Sequence, residues 1–209
     1  MTTLLHISAS PRGVASESLA IARTFLETYR DTHPAATVES WNLWDDGALP
    51  PFGPAAAAAK MAIFGGEEPT SEAAAAWQGV ELTFARFNAA DRYLFSIPMW
   101  NHGVPYVLKQ FIDVVSQPGM AFSFDAEHGY TGLLQGRKAA VIYTSAVYGE
   151  GRPPSFGVDF QAPYFAGWLR WAGVADIDEV FFRPDLATAE PDVGRRAAHA
   201  RARDVAKIF

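Results

Sequence analysis

Three serines near the start of the chain, Ser10, Ser16 and Ser18, have the chemistry to hold a phosphate. They follow a short apolar stretch and surround the first residues of a segment with helical periodicity. The N-terminus of a helix carries unpaired N–H groups and a partial positive charge, so it attracts anions. Serine hydroxyls add short donors without filling the space that a phosphate needs. The pattern therefore predicts a phosphate site, although Ser16 would also be a good N-cap whatever the function.

Two charged residues lie among these serines and bear on that prediction. A Glu17 carboxylate that faced a phosphate dianion would repel it, so we expect this side chain to point to solvent. Arg12 has two interpretations that the sequence leaves open. It either offsets the charge of the phosphate or is simply an exposed residue of the loop.

A second polar group stands between an apolar run that stops at Pro98 and a helical pattern that Pro105 opens. Proline is favourable at the first helical position because the N–H that it lacks would be unpaired there. The tight loop between the two prolines offers aromatic, amide and imidazole groups and several backbone N–H groups. This set suits a flat heteroaromatic ring with polar edges better than a sugar or a metal. The candidate residues are Met99, Trp100, Asn101 and His102.

Each side chain of this second loop also has a simpler interpretation. Trp100 could pack in the core, Asn101 could cap a helix, and His102 could be exposed or structural. His102 is the candidate proton donor of the chain, because an imidazole titrates near neutral pH. The position of the loop between an apolar strand and a helix makes the group more informative than any one of its members.

A third loop leaves the carboxyl end of an apolar, β-branched strand that ends at Tyr143. Small side chains in this loop would let the backbone approach a ligand closely. The alternative is an ordinary connection whose tyrosine only covers the core. The candidate residues are Thr144, Ser145, Ala146, Val147 and Tyr148.

Strand and helix patterns alternate along the chain, which predicts a parallel sheet with helices on both faces. The expected fold class is α/β, with a five-stranded parallel doubly wound sheet. Ligands of such sheets collect outside the carboxyl ends of the strands, where all three polar loops lie. The predicted strands cover residues 3–7, 37–43, 91–98, 138–143 and 174–182, the predicted helices cover 19–29, 71–88, 104–115, 160–172 and 187–208, and residues 118–132 look like a hairpin or loop near the sheet edge.

Residues 45–69 interrupt this alternation with sequence rich in Pro, Gly and Ala, including a short helical piece. We interpret them as a lid-like excursion, and a loop extension without a role is the alternative. No repeat and no second region with its own pattern of strands and helices is seen, so residues 1–209 are expected to form a single domain.

Composition and motifs exclude several classes of function. The chain has no cysteine, so disulfides and thiolate chemistry are absent, and its net charge of −6 argues against a nucleic-acid surface. No signal peptide and no apolar run of membrane-spanning length is seen, so we expect a cytoplasmic protein without membrane contact. The histidines lack the spacing of metal ligands, a nucleophile elbow is missing, and the first turn carries neither the dinucleotide nor the triphosphate fingerprint.

Four motifs together resemble the FMN-dependent NADH azoreductases, which are flavodoxin-like quinone and azo-dye reductases. They are Ser10-x5-Ser16-x-Ser18, Pro98-Met-Trp-Asn-His-Gly-Val-Pro105, Leu108-Lys-x-Phe-Ile-Asp113 and Gly119-Met-Ala-Phe-x-Phe124. The chain departs from the family at three places. Trp100 replaces a frequent tyrosine, His102 replaces a commoner aromatic or small apolar residue, and Ser145-Ala-Val-Tyr148 stands where the family often has Ser/Ala-Arg-Gly-Gly.

The resemblance implies a flavodoxin-like three-layer fold with strand order 2-1-3-4-5 and a homodimer with its active site near the interface. It also implies tightly bound FMN, with NADH or NADPH as co-substrate. Hydride would pass through FMN to quinones or azo compounds in a ping-pong reaction. The implied FMN site consists of Ser10, Ser16, Glu17 (by its backbone) and Ser18 around the phosphate, Met99, Trp100, Asn101 and His102 along the isoalloxazine ring, and Thr144, Ser145, Ala146, Val147 and Tyr148 completing the site.

Two functions from other classes stay open at this point. One is a flavodoxin-like electron carrier or redox-responsive binding protein. The other is a hydrolase of the acyl-carrier-protein phosphodiesterase type, because proteins of this resemblance have been labelled in that way. The missing nucleophile motif and metal cluster speak against the hydrolase, and the modest net charge speaks against a carrier with an acidic docking face.

Overall fold

The computed structural model describes residues 2–209, and strands and helices alternate through most of that length. A two-stranded hairpin and an extra helix add to the alternation. The strands are β1 (Thr3–Ser8), β2 (Thr37–Asn42), β3 (Arg92–Pro98), β4 (Phe122–Asp125), β5 (Gly129–Gly132), β6 (Lys138–Thr144) and β7 (Asp176–Phe182), and the helices are α1 (Glu17–Thr32), α2 (Pro54–Phe64), α3 (Ser71–Asn88), α4 (Tyr106–Val115), α5 (Ala162–Ala172) and α6 (Pro191–Ile208).

The main sheet is parallel throughout and has the strand order β2-β1-β3-β6-β7. The hairpin strands β4 and β5 pair with each other, antiparallel, outside this sheet. When only the five strands of the main sheet are numbered, β6 and β7 become the fourth and fifth strands. The order is then 2-1-3-4-5, as in flavodoxin-like folds, and this confirms the prediction. Successive strands are added on one side of β1 up to β2 and on the other side from β3 onward, so the strand order reverses between β1 and β3. The carboxyl ends of these two strands therefore open a crevice.

The central strands β1, β3 and β6 are buried on both faces, as their nearly continuous apolar sequences predict. One face packs against α1 and α6 through residues such as Leu4, Phe25 and Val205. The other packs against α3, α4 and α5 and contains large aromatic rings such as Phe95 and Phe111. Both cores are closed by helices, so the polar loops at the carboxyl edge stand on a rigid base.

The predicted elements are all present, with small shifts at their ends. Pro105 is the residue before α4 rather than its first residue, and α5 and α6 begin a few residues later than predicted. The hairpin is real. It lies against the end of α5, where a side chain at Gly132 would collide with the backbone of Gly173, at 2.3 Å from its nitrogen.

Residues 45–69 contain α2, which packs on α3 through a small separate core around Ala59 and Trp77. The stretch before α2 is attached by Pro50, whose carbonyl accepts a hydrogen bond of 3.0 Å from Gln110. Met61 and Phe64 on the opposite side of α2 are exposed. Among residues 2–209, none of the helices combines the length and the apolar character that a membrane crossing requires.

Candidate functional site

Four loops meet at the carboxyl edge of the sheet. They are L1 (residues 9–16, between β1 and α1), L3 (99–105, between β3 and α4), L6 (145–161, between β6 and α5) and L7 (183–190, between β7 and α6). Backbone hydrogen bonds join them to their neighbours. The N–H of Ala9 donates to Ser96 at 3.0 Å and the N–H of Met99 to Thr144 at 2.7 Å. The parallel register thus brings the three predicted loops to one edge.

The serine cluster is buried. It consists of Ser10 and Ser16 of L1 and Ser18 of α1. Ser16 caps α1, because its Oγ accepts a hydrogen bond of 3.3 Å from the N–H of Leu19, and it lies 3.1 Å from the Oγ of Ser18. In the part of the chain that the structure describes, the N–H groups of Glu17 and Ser18 donate to no protein acceptor. The start of α1 therefore presents free donors beside buried hydroxyls, which is the chemistry of an anion site.

Glu17 does not point freely to solvent, so that expectation is wrong. Its carboxylate is held by Arg195 of α6, at 2.9 Å from Nη2 and 3.2 Å from Nε, and only a quarter of the side chain is exposed. The charge that would repel a phosphate is thus paired with a cation. Arg12 is exposed, in agreement with the simpler of its two interpretations.

A second acidic group, Asp185 of L7, shares this electrostatic environment. Burial, followed by the charge of Glu17, raises the pKa of Asp185, while Arg12 and Arg195 act in the opposite direction. The N–H of Asp185 donates to the carbonyl of Ser145 at 2.8 Å, so L7 runs beside L6. The charges around the start of α1 are therefore balanced by two arginines from distant parts of the sequence.

His6 lies in β1 on the face that carries the serine cluster, and it is almost fully buried. Its Nε2 is 3.0 Å from the Oγ of Ser96 in β3, so the pair connects the two strands that flank the crevice. Burial, assisted by the positive charge of Arg30, lowers the pKa of His6 from 6.5 to about 4. His6 is therefore neutral at physiological pH, and it is a structural histidine.

L3 folds into a tight turn. Trp100 and Gly103 exchange backbone hydrogen bonds of 3.0 and 2.9 Å, and the two residues between them take positive φ values of 46° and 71°. Asn101 and His102 are thus held in the left-handed region, where residues other than glycine are uncommon and often functional. Asn101 does not cap α4, since Pro105 precedes that helix. Within residues 2–209, the N–H groups of Asn101 and His102 have no protein acceptor.

The imidazole of His102 is fixed by L6. The Nδ1 of the ring accepts a hydrogen bond of 2.9 Å from the N–H of Val158. The backbone carbonyl of His102 accepts another of 2.9 Å from the N–H of Phe160. Gly157 has a φ of 109°, and a Cβ there would lie 3.2 Å from Cε1 of His102. Glycine thus makes room for the ring at a position where a side chain would also be strained.

Trp100 does not line the cleft beside this turn. It belongs to an aromatic cluster with Trp44 and Tyr106, at ring-centroid distances of 5.5 and 6.3 Å. Trp44 follows β2, and its Nε1 donates to the carbonyl of Ala9 at 3.0 Å. The cluster therefore connects L3 to L1 across the crevice and gives the crevice an aromatic border.

A cleft of about 240 Å³ lies between L3 and L6 and is called the L3–L6 cleft below. Thr144 and Ser145 are buried at its base, whereas Ala146 and Val147 are exposed. The carbonyls of Ser145 and Ala146 accept hydrogen bonds from L7, while the N–H groups of residues 146–148 meet no protein acceptor among residues 2–209. The cleft is lined by Met99, Asn101, His102, Ser145, Ala146, Val147, Tyr148, Phe156 and Gly157.

Most of the predicted site residues thus lie on loops at one edge of the sheet, with the serine cluster at one end of the crevice edge and the L3–L6 cleft at the other. Sequence reasoning missed the groups that orient them, namely Trp44, Gly157, Val158 and Arg195. A tryptophan directly after a strand was a usable signal for Trp44, but the others are recognised only through distant contacts. In the described part of the chain, no three His, Asp or Glu side chains gather in a way that could hold a metal ion.

The strand order and the crevice define a flavodoxin-like α/β protein whose ligand site lies at the switch point between β1 and β3. A family model described as flavodoxin-like fold matches residues 2–206. The chain belongs to this family.

Relatives with similar sequences are FMN-dependent NADH:quinone oxidoreductases. The protein of that name from Ruegeria pomeroyi is 42% identical over 194 residues, which cover 93% of this chain and 95% of the relative. FMN-dependent NADH:quinone oxidoreductase 9 from Burkholderia lata is 40% identical over 213 residues, with 100% of both chains covered. The second comparison spans the whole chain and therefore includes all the loops of the site.

Solved structures give the same result at the level of the fold. An azoreductase from Bacillus anthracis (strain Sterne) superposes with a TM-score of 0.91 at 25% sequence identity, covering 100% of both chains. An FMN-dependent NADH-azoreductase from Bacillus anthracis (strain Ames Ancestor), solved in complex with FMN, has a TM-score of 0.89 at 24% identity, and it supports the fold alone. The predicted resemblance to this group of reductases is confirmed.

Proposed function

We propose that this protein is an FMN-dependent oxidoreductase that transfers hydride from NADH, through bound FMN, to quinones and azo compounds. The observation that carries the proposal is the start of α1. Two unpaired N–H groups, of Glu17 and Ser18, stand there beside three buried serine hydroxyls, at the strand switch point where flavodoxin-like sheets bind FMN. The names of the relatives supply the reaction class.

We propose that FMN extends along this edge of the sheet, from the serine cluster to the L3–L6 cleft. Ser10, Ser16 and Ser18 would hold the phosphate, together with the N–H of Glu17. Met99, Trp100, Asn101 and His102 would lie along the isoalloxazine ring, with Trp100 at its border. The free N–H groups that follow Ser145 would face the polar edge of the ring. The remaining residues of this set are Thr144, Ala146, Val147 and Tyr148.

FMN, when bound, supplies the two-electron chemistry that no side chain of this protein provides. The protein contributes binding, orientation and electrostatics. The ion pair with Arg195 would keep the Glu17 carboxylate from repelling the phosphate. The turn of L3 points backbone donors into the crevice at no further cost in ordering, because the turn is already formed.

A direct experiment starts from protein freed of any bound nucleotide. We expect FMN to bind and its absorption to bleach when NADH is added without oxygen. Adding 1,4-benzoquinone should then restore the absorption, and steady-state kinetics should show the parallel double-reciprocal lines of a ping-pong reaction. Protein that takes up no FMN, or that takes it up and is never reduced by NADH, contradicts the proposal.

The same experiment separates the two alternative functions. An electron carrier would bind FMN but would oxidise NADH slowly without a separate reductase. A phosphodiesterase of acyl-carrier protein would release phosphopantetheine whether or not FMN is present. The relatives and the solved structures favour the reductase over both alternatives.

We also propose a homodimer with the site near the interface. Several large apolar side chains around the L3–L6 cleft are strongly exposed, and Phe160 is 62% exposed. A second copy would remove such surface from water. Light scattering on the eluting protein should give about twice the mass of one chain. The other exposed side chains of this group are Val147, Phe156, Val158 and Tyr164.

Three further interpretations stay predictions. Residues 45–69 would act as a lid, since α2 exposes Met61 and Phe64 and rests on only a small core. Residues 1–209 would form one domain.

A cytoplasmic location fits the use of NADH, an intracellular reductant, and the absence of cysteine from the sequence. Fractionation of cells that produce the protein tests the location.

A further inference from the structure

The hydrogen bond between L6 and His102 determines which imidazole nitrogen carries the proton. The N–H of Val158 is a backbone group and is always a donor, and it lies 2.9 Å from Nδ1. Nδ1 must therefore accept and has no proton of its own. In the neutral ring the proton then resides on Nε2. His102 lines the L3–L6 cleft, so a donor on Nε2 would be available to a ligand bound there.

The ring is held in this state from several sides. Gly157 packs against Cε1, and the N–H of Phe160 donates to the backbone carbonyl of His102, so L3 and L6 are joined at two points. A doubly protonated ring would place an Nδ1–H against the N–H of Val158 and would lose the hydrogen bond. Asp159 of L6 pairs with Arg183 of L7, at 2.6 Å. The geometry thus assigns the donor role to Nε2.

We propose that His102 is a specificity-determining residue that selects acceptors with a carbonyl oxygen, namely quinones, by donating a hydrogen bond from Nε2 to that oxygen, with Val158 as its positioning residue. The inference rests on the proposed function and names the substrate class for that site. It assigns to His102 a hydrogen bond that stabilises charge, whereas the sequence suggested a proton donor.

The overall reaction balances without a proton from His102. NADH loses a hydride and becomes NAD⁺, and the quinone gains those two electrons and that hydrogen. One quinone oxygen carries negative charge until a proton from water completes the hydroquinone. A neutral Nε2–H facing this oxygen donates a stronger hydrogen bond as its charge grows, and it thereby lowers the barrier.

An azo acceptor gains much less from the same donor. Azo nitrogens are weak hydrogen-bond acceptors compared with quinone oxygens, and an aryl ring on each nitrogen blocks close approach of the imidazole. Losing the donor should therefore change the two rates unequally. The ratio of kcat/KM for a quinone to kcat/KM for an azo dye reports the contribution of His102.

The kinetic test compares His102→Phe, His102→Gln and the wild type with 1,4-benzoquinone and 4-aminoazobenzene at saturating NADH. We expect His102→Phe to lower the quinone-to-azo ratio about tenfold, the usual effect of losing one hydrogen bond to a charged oxygen. His102→Gln retains an N–H donor and should restore most of the ratio. His33→Phe, at the far end of α1, is the matched control, and we expect no change in the ratio.

A second readout needs neither FMN nor turnover. Nitrogen-15 NMR of the histidine rings in the FMN-free protein, with the His102 signals assigned by their loss in His102→Phe, should show a protonated Nε2 and an unprotonated Nδ1. The opposite tautomer, or an averaged mixture of both, overturns the inference. So does an unchanged ratio in His102→Phe. Failure of the proposed function looks different, because the wild type would then not be bleached by NADH at all.

Discussion

The two ends of the crevice are built in different ways. The serine cluster is buried, comes from one short stretch of sequence, and is organised by the helix that it caps. The L3–L6 cleft is largely exposed and is assembled from two loops that are distant in sequence and held together by contacts such as that of His102 with Val158. A local, rigid unit suits the FMN phosphate that we propose for this end. An assembled and exposed unit can change its acceptor without disturbing that anchor.

The largest expected effect comes from removing the anchor. Ser10→Ala with Ser18→Ala deletes two hydroxyl donors to a doubly charged phosphate, and each is worth about 2 kcal/mol. We expect FMN to bind about a thousandfold more weakly. Riboflavin, which lacks the phosphate, should keep its affinity. Titration by flavin fluorescence measures both.

Ser123→Ala, on the exposed side of β4, is the control for this double variant. An equal loss for FMN and riboflavin would mean that the serine cluster supports the loop rather than the phosphate. The contrast between the two ends of the crevice would then disappear.

The second test measures stability at low pH, because the buried His6 lies on the face of β1 that carries the serine cluster. The pKa of His6 is about 4 in the folded protein and 6.5 as its ordinary value, so the unfolded chain binds more protons between these pH values. The free energy of unfolding should therefore fall as the pH falls from 6.5 to 4, by up to about 3 kcal/mol from this residue alone. Above pH 7 the residue contributes no pH dependence.

Urea unfolding of the FMN-free protein at several pH values checks this prediction. His6→Gln keeps a hydrogen-bonding group near Ser96 but does not titrate, so its free energy of unfolding should fall less than that of the wild type in the same window. Parallel curves for the two proteins would show that His6 is not the acid-sensitive element of the serine end.

A smaller effect is expected from disturbing the assembled end. A Cβ at Gly149 would lie 2.7 Å from Cδ of Pro184, so Gly149→Ala must move L6 relative to L7. Overpacking of this kind costs about 1–3 kcal/mol locally. We expect kcat/KM for 1,4-benzoquinone to fall about tenfold while FMN affinity changes less than threefold.

Gly167→Ala in α5 is the matched control, since nothing lies within 4 Å of the added methyl group. A loss of FMN affinity in Gly149→Ala as large as that of the serine double variant would contradict the separation of the two ends, because L6 would then hold FMN as strongly as the serine cluster does.

The smallest effect concerns the charge balance at the serine end. Arg195→Ala leaves Glu17 unpaired near the start of α1, where its carboxylate competes with a phosphate for the same positive field. Because the pair is partly exposed, we expect FMN affinity to fall only about threefold. Adding Glu17→Gln should restore it. Restoration by added salt instead would point to a long-range field rather than to this contact.

The difference between the two ends also explains how far the sequence predicts the molecule. The parallel doubly wound sheet follows from the alternation of elements, and its strand order from the family resemblance. The serine cluster follows from one local motif next to a helix start. The role of L6 in fixing His102 does not follow, because Val158 lies 56 residues away and acts through its backbone N–H, which every residue but proline possesses. The sequence placed Glu17 in solvent, because nothing near Glu17 or Arg195 in the sequence indicates that these residues, 178 positions apart, form an ion pair.

The bond between Glu17 and Arg195 has a consequence for the order of assembly. Its two residues belong to the first and the sixth helix, so the long loop between them must close before the pair can form. A folding intermediate in which α6 has not yet docked would offer the prosthetic group an uncompensated carboxylate. We therefore expect FMN to bind at full strength only after the β7–α6 unit has joined the sheet.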